Sequence, residues 1–112
     1  MRIDEALSGL KDNGLPVPCC HTPYLGDAEV YVTFQLLPQR ATLYAEGREA
    51  ETSVQYAVSI FRPRYSAALL REVKRLLEQA GYIATVEAEF YDRDTRRNQT
   101  TIIATIEGDA YG

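Results

Sequence analysis

The residues best suited to catalysis or metal binding are three neighbours near the N-terminus, Cys19, Cys20 and His21. A thiolate beside an imidazole can act as a nucleophile, and both groups are ligands that zinc prefers. A structural zinc site needs four such ligands, whereas the chain holds two cysteines and one histidine. Neighbours in an extended segment point to opposite sides, which separates a thiol from its base. We therefore expect neither a metal site nor a catalytic thiol, and the strain of a vicinal disulfide disfavours a Cys19–Cys20 bridge.

Four acidic residues lie close together in the C-terminal half: Glu87, Glu89, Asp92 and Asp94. Paired carboxylates work as general acid and base where a pocket raises the pKa of one of them. Glu87 and Glu89 share a face of a predicted strand, but arginines follow in the sequence and nothing indicates a pocket. We interpret these acids as a solvated sheet face or a subunit contact.

Arginines and tyrosines are interleaved in the same half of the chain, a mixture typical of sheets that bind RNA. The residues concerned are Arg62, Arg64, Arg93, Arg96 and Arg97, with Tyr65 and Tyr91. Against this hypothesis, acids lie among the arginines and the aromatic signature of RNA-binding sheets is absent. The whole chain carries 12 basic and 16 acidic residues, a net charge of −4. We therefore expect no specific nucleic-acid binding.

The sequence contains no glycine-rich phosphate loop, no GxSxG and no HExxH. We accordingly expect no enzymatic activity and no cofactor. A hydrophobic fraction of 46% and a charged fraction of 25% are typical of soluble globular proteins. No apolar run approaches the ~20 residues that span a bilayer. The polar first residues do not resemble a signal peptide, so we expect synthesis in the cytosol.

The clearest secondary-structure signal in the chain is one amphipathic stretch, residues 66–80, which has alternating segments before and after it. Its apolar stripe consists of Leu69, Val73, Leu76, Leu77 and Ala80. The spacing predicts a helix with Ser66 as N-cap and Gly81 as the left-handed residue that ends it. A second helix is predicted over residues 3–12 and ends at Asn13-Gly14. Both helices need a surface to cover, because short helices are marginal alone.

Before the central helix the sequence alternates as strands do. Residues 30–37 and 49–61 place apolar side chains at every second position. A shorter strand over 41–46 would form a projecting hairpin with the long one. Residues 15–29 hold three of the five prolines and are predicted to be an extended loop, with one short strand over 17–19.

After Gly81, residues 83–91 and 98–107 alternate again and form a hairpin around the turn-forming acids Asp92 and Asp94. The predicted core positions are Ala84, Val86, Ala88 and Phe90 on the first strand and Thr100, Ile102, Ala104 and Ile106 on the second. The element order is α-β-(β)-β-α-β-β. We predict an α+β fold, a mostly antiparallel sheet with two helices packed on one face. The length fits a single domain, 1–112, whose last residues 108–112 are expected to fray.

Several phrases of the sequence occur together in this order: YVTFQLL, LYAEGREAETSVQYAVSIF, a helix ending in AGY, and EFYDRDTRRNQTTIIATIEG. Over about residues 3–107 they resemble the small tail-terminator and tail-completion proteins of long-tailed phages and prophages. In that family an acid-containing turn, here Ala45-Glu46-Gly47, precedes a long alternating strand. A phrase like Y-D-x-D-T, here residues 91–95, opens the last strand.

Two features depart from the family pattern. Relatives often carry an aromatic residue and a histidine soon after the Asp-Thr pair, where this chain has Arg97, Asn98 and Gln99. The hairpin tip is therefore expected to contact a different partner. The Cys-Cys-His segment is not part of the pattern either.

The resemblance implies a structural virion protein of the tail or neck, made in the bacterial host cytoplasm. It implies a ring, commonly a hexamer, at the head-proximal end of the tail. The partners would be further copies of the chain, the tail tube and head-connector proteins, with no membrane. The acidic balance suits a lumen through which DNA passes without being bound. The residues expected to contact subunits or partners are Tyr44, Glu46, Arg48, Asp92, Arg93, Asp94, Arg96 and Arg97.

Three other functions compete with the ring. A head–tail connector or neck component would occupy the same region of the virion with a different neighbour. A small ferredoxin-like domain would bind protein or RNA as a monomer or dimer, and oligomeric state separates it from a ring. An enzyme using Cys20 and His21 would be inactivated by thiol alkylation.

Overall fold

The computed structural model describes residues 1–38, 53–94 and 96–107. They form two helices, α1 (Ile3–Leu7) and α2 (Ala67–Gln79). The strands are β1 (Lys11–Asp12), β2 (Leu15–Pro16), β3 (Cys19–His21), β4 (Tyr31–Leu36), β5 (Ser53–Arg62), β6 (Ile83–Asp92) and β7 (Arg97–Glu107). This is the predicted α+β fold, with both helices on one face of the sheet.

Five strands form the main sheet in the order β3-β4-β5-β7-β6. β3 runs parallel to β4, and every other neighbouring pair is antiparallel. β5 and β7 pair along their whole length, from Ser53 opposite Glu107 to Arg62 opposite Asn98. β1 and β2 form a separate two-stranded ladder. Within the described residues, β3 and β6 are therefore the edges of the main sheet.

Helix α2 forms where its spacing predicts it. The Ser66 side chain accepts a hydrogen bond of 3.2 Å from the Leu69 amide, which satisfies one donor of the first turn. Gly81 adopts a φ of +95°, the left-handed conformation that ends the helix. The exposed fractions of Leu69, Val73 and Leu77 are 1% or less. Burying such a side chain contributes roughly 1.5–3 kcal/mol, so this stripe holds the helix on the sheet.

The core lies between the helices and one face of β4, β5 and β7. The predicted alternation holds on β5 and β7, where every second side chain is buried. The central buried positions are Tyr56, Val58 and Ile60 on β5, and Thr100, Ile102, Ala104 and Ile106 on β7. Helix α1 closes the same core with Ile3, Ala6 and Leu7.

The first helix is shorter than predicted. It ends at Leu7, and residues 11–16 form the β1–β2 hairpin instead. Asn13 and Gly14 turn this hairpin with φ values of 52° and 79°. Two successive residues with positive φ are what the tightest hairpin turn requires, and Asn-Gly supplies them most readily. The dipeptide therefore serves as a turn rather than as the end of a helix.

The segment predicted as an extended loop holds two of the strands. A short strand was predicted at residues 17–19, and the structure has it at Cys19–His21. This strand, β3, pairs in parallel with Val32–Phe34 of β4. Val17 precedes it, buried, and its amide donates to the Leu10 carbonyl at 3.1 Å. The bounds of β3 depend on its pairing with β4, and the alternation of side chains within β3 does not specify that pairing.

The prediction that Ala88 and Phe90 of β6 face the core is wrong. The register shifts there, because Val86 pairs with Ile102 while Ala88 pairs with Thr101. One extra residue in the strand is a β-bulge, which moves every later side chain to the other face. Phe90 is consequently 50% exposed, on the sheet face away from the helices, which we call the distal face.

Some predictions fall outside the described residues. These are the strand over 41–46, residues 49–52 of the long strand and the frayed tail over 108–112. Neither described helix has the length and apolar character needed to cross a bilayer.

Candidate functional site

Strand β6 exposes a concentration of large apolar side chains. Ile83 is 71% exposed, Val86 38%, Phe90 50% and Tyr91 54%. Among the described residues, β6 pairs only with β7, so its outer backbone groups form an edge of the sheet. A long edge strand with apolar side chains is a template for pairing with another chain. We call these four residues and the backbone of β6 the β6 edge.

The hairpin tip, described at residues 92–94 and 96–97, adjoins the β6 edge. The Asp92 carboxylate accepts a hydrogen bond of 3.0 Å from the Asp94 amide, which closes the predicted turn. Arg93, Asp94 and Arg96 are exposed there. The other expected contact residues, Tyr44, Glu46 and Arg48, lie outside the described part of the chain. Contact of the tip with a partner stays a prediction.

Arg97 is used within the chain. Its guanidinium donates to the carbonyl oxygens of Glu29 at 2.8 Å and Ala28 at 3.3 Å. It also lies 5.4 Å from the centre of the Tyr31 ring. Arg97 is half-buried by these contacts, which tie residues 28–31 to β7. The sequence gives no sign of them, because the partners are separated by 68 and 69 residues.

An aromatic stack continues this contact on the distal face. The ring of Tyr24 stacks on Tyr31 with a centroid separation of 4.2 Å, and Tyr31 stacks on Phe61 at 4.7 Å. The Tyr24 hydroxyl accepts a hydrogen bond from the Ala28 amide at 3.0 Å. The segment between β3 and β4 therefore covers the start of the distal face, and Tyr31 is 9% exposed.

The middle of the distal face is lined by uncharged side chains. Gln55 donates to Thr105 at 3.2 Å, and Gln99 donates to Ser59 at 3.4 Å. The other positions of β5 and β7 between them are Ala57, Thr101 and Ile103, all half-buried. RNA-binding sheets display aromatic and basic residues at this place. The described residues in the middle of this face supply hydroxyl, amide and apolar groups instead, and its aromatic residues Tyr31, Phe61 and Phe90 lie toward one end.

The arginines considered as a basic patch do not lie together on one surface. Arg62 is 1% exposed, since the alternation of β5 carries its side chain to the helix-covered face. It donates to the Thr100 hydroxyl at 2.8 Å and lies 4.9 Å from the centre of the Tyr65 ring. With Arg97 tied to residues 28–31, only Arg64, Arg93 and Arg96 of the five arginines are exposed. The burial of Arg62 was not predicted, because arginine is almost never fully buried.

The Cys-Cys-His segment forms β3. Burial and the neighbouring Cys20 raise the pKa of the Cys19 thiol to about 12, which keeps it protonated and a poor nucleophile. Cys20 pairs with Thr33 and His21 with Phe34, successive residues that face opposite sides of the sheet. Both thiols are free. Across the described ranges, no three histidine, cysteine or acidic residues are grouped as a metal site would require.

Comparison with models of known protein families gives no match to this chain. Comparison with the sequences of curated proteins likewise gives none.

Proposed function

We propose that this chain is a structural subunit of a phage or prophage tail, a terminator or tail-completion protein that forms a ring at the head-proximal end. The sequence resemblance supplies the biological setting of the proposal. The observation that supports assembly of several copies of the chain is the β6 edge, a ten-residue strand with exposed apolar side chains. Such an edge can pair with a strand of another chain, and its carboxylates favour a partner surface without acidic residues.

The charges of β6 favour a head-to-tail contact over a two-fold one. The strand holds Glu87, Glu89 and Asp92 and no basic residue. Two copies of β6 paired with each other would bring six carboxylates together, and like charges across strands are destabilising. A contact between β6 and a different surface of the next copy avoids this repulsion. Repeated head-to-tail contacts close into a ring when the rotation permits.

The first test is the mass of the full chain by light scattering, from roughly micromolar to millimolar protein, the range of weak-contact affinities. We expect the mass to rise toward that of a ring, commonly a hexamer. Phe90→Lys should shift the rise to higher concentration, because it places a charge on the β6 edge. Leu25→Lys is the matched control, since Leu25 is 91% exposed but lies outside β6.

A stable dimer at every concentration would contradict the ring and favour the ferredoxin-like binding domain. A monomer leads to a second experiment, because small contacts often close only on a template. Purified tail tubes are mixed with the chain and sedimented. We expect the wild-type chain to sediment with the tubes and Phe90→Lys to remain in solution. Binding to head-connector proteins without binding to tubes would identify a neck component instead.

A further inference from the structure

The outer side of β6 carries backbone groups that no strand of the described chain pairs with. The Leu37 amide donates to the Gln55 carbonyl at 2.8 Å, so odd-numbered residues of β5 bond to β4 and even-numbered residues bond to β7. By the same alternation, odd-numbered residues of β7 bond to β6. The residues of β6 whose amide and carbonyl groups point outward are those opposite even-numbered residues of β7: Ala84, Val86, Glu89 and Tyr91. Their side chains lie on the helix-covered face, as those of the even-numbered β7 residues do.

The outer side of β3 is open in the same way. The Pro18 carbonyl accepts from the Val32 amide at 2.9 Å, and in a parallel ladder this alternation turns the backbone groups of Cys19 and His21 away from β4. Among the described residues, none forms a backbone hydrogen bond to these outward groups. The side chains of Cys19 and His21 lie on the helix-covered face, because Cys19 is opposite Val32, which is buried in the core.

The directions of the two edge strands suit a repeated contact. β3 runs parallel to β4, and the three pairs from β4 to β6 are antiparallel, so β3 and β6 run in opposite directions. Two copies placed side by side in the same orientation therefore bring β6 of one antiparallel to β3 of the next. Residues opposite each other in an antiparallel pair share a face, and the outward residues of both strands belong to the helix-covered face. The helices of both copies thus stay on one side of the joined sheet.

The composition of β3 also suits the acidic β6 edge. β3 contains no acidic residue, and His21, which carries a positive charge when its imidazole is protonated, is exposed. The open edge of β3 is short, since Pro23 has no N–H to donate to another strand. A short edge forms few backbone hydrogen bonds, so each contact is weak by itself.

We propose that β6 of one copy pairs antiparallel with β3 of the next copy, so that the sheets of neighbouring copies are continuous. This inference rests on the proposed ring and names the surface that receives the β6 edge. The contact is head-to-tail, because it joins two different edges and leaves one free edge on each side. A ring closes when the last free β6 meets the first free β3.

The bulge in β6 leaves two stretches with which β3 can pair, Ile83–Val86 and Ala88–Asp92. Antiparallel pairing with the first stretch places His21 opposite Ala84, and pairing with the second places it opposite Glu89. Opposite charges across strands are stabilising, so we assign the second stretch.

The assigned register places Cys20 of one copy opposite Phe90 of the next, both on the distal face. They form a pair without mutual hydrogen bonds, in which the Cα atoms are about 4.5 Å apart. This separation lies within the range of a disulfide, roughly 4.4–6.8 Å. The native thiol of Cys20 can therefore report the contact when a second thiol is introduced by Phe90→Cys.

The test oxidises the full-length Phe90→Cys chain with copper(II) phenanthroline, from roughly micromolar to millimolar protein, the range of weak-contact affinities. We expect a ladder of dimers, trimers and longer chains on a non-reducing gel, because each copy has Cys20 on one edge and the introduced thiol on the other. Peptide mapping should show that the new bond joins these two positions. Adding Cys20→Ser should abolish the ladder.

Thr85→Cys is the matched control. Thr85 is exposed on the same face of β6 but lies on the other side of the bulge, so it should give no ladder. A ladder with Thr85→Cys and none with Phe90→Cys would overturn the assigned register. Cross-linking that stops at dimers and persists with Cys20→Ser would show two β6 strands paired with each other, which contradicts the proposal.

Light scattering of the wild-type chain separates this inference from the ring itself. A mass that rises toward a ring, without a bond between Cys20 and the introduced thiol, would refute the strand pairing and leave the ring. A ladder supports the pairing even where the wild-type mass stays constant, because oxidation accumulates contacts that are too weak to raise the mass. Absence of the bond at millimolar protein refutes the pairing whatever the mass is.

Discussion

Replacing Arg97 with alanine tests whether one side chain holds the segment between β3 and β4 on the sheet. The change removes the hydrogen bonds to Glu29 and Ala28 and the contact with the Tyr31 ring. We expect Arg97→Ala to destabilise the fold and to loosen residues 24–30. A residue that served only to contact a partner would give neither effect.

The magnitude follows from the three contacts. Hydrogen bonds from charged donors contribute ~1.5–3 kcal/mol each when buried, and the half-exposure of Arg97 places both below that range. The cation–π contact adds ~0.5–1 kcal/mol. Together they give a loss of about 2 kcal/mol in the free energy of unfolding. For a domain of this size, that corresponds to roughly 8 °C in Tm.

The assay combines urea unfolding with amide hydrogen exchange at Ala28, whose N–H is bonded to the Tyr24 hydroxyl. Exchange at Ala28 should accelerate in Arg97→Ala, because the bonded segment opens more often. Arg97→Lys should recover part of the stability, since it keeps the charge but lacks the fork. Arg93→Ala is the matched control, an equal charge change on the exposed hairpin tip, and should alter stability by less than about 0.5 kcal/mol.

The reasoning would be refuted by an Arg97→Ala variant with wild-type stability and unchanged exchange at Ala28. It would equally fail if Arg93→Ala lost as much stability as Arg97→Ala. General loss of positive charge, rather than the contact with residues 28–31, would then be the cause.

Two further predictions concern the core and β3. Leu77→Ala should lower the free energy of unfolding by about 2–5 kcal/mol, since Leu77 is fully buried. Urea unfolding measures this loss. Leu76→Ala is the control and should lower the free energy of unfolding by less, because Leu76 is half-buried. The raised pKa of Cys19, about 12, means that the fold favours the neutral thiol. Its stabilisation is complete below the unfolded pKa of ~8.5 and is lost as pH rises through about 12. Urea unfolding from neutral to alkaline pH should show a shallower decline in Cys19→Ala, and an identical decline would contradict the assignment.

Much of the fold could be predicted because its signals are local. The stripe of α2, the capping Ser66 and the positive φ of Gly81 all act within a few residues of one another. The alternation of β5 and β7 is equally local, since a strand with one buried face repeats every two residues. Both ends of α2 and β7, and the C-terminal end of β5, lie within one residue of their predicted positions.

The predictions failed where one local sequence pattern is compatible with two structures. Asn13-Gly14 can end a helix or turn a hairpin, and the turn prevailed with β1 and β2 on either side. On β6, alternation in the sequence continued through a position where the register with β7 shifts. A bulge depends on the partner strand, so periodicity within β6 could not reveal it.

The sequence by itself determined the α+β class, the central helix and the buried faces of β5 and β7, because helical and strand periodicity and capping are properties of neighbouring residues. Only the tertiary structure decided which arginines are surface groups. Arg97 reaches residues 28 and 29, and Arg62 lies buried beside Thr100, 38 residues away. It also decided that β6 is an edge with exposed apolar side chains. Strand order and burial depend on which distant segments pair, and no pattern within one segment specifies its partner.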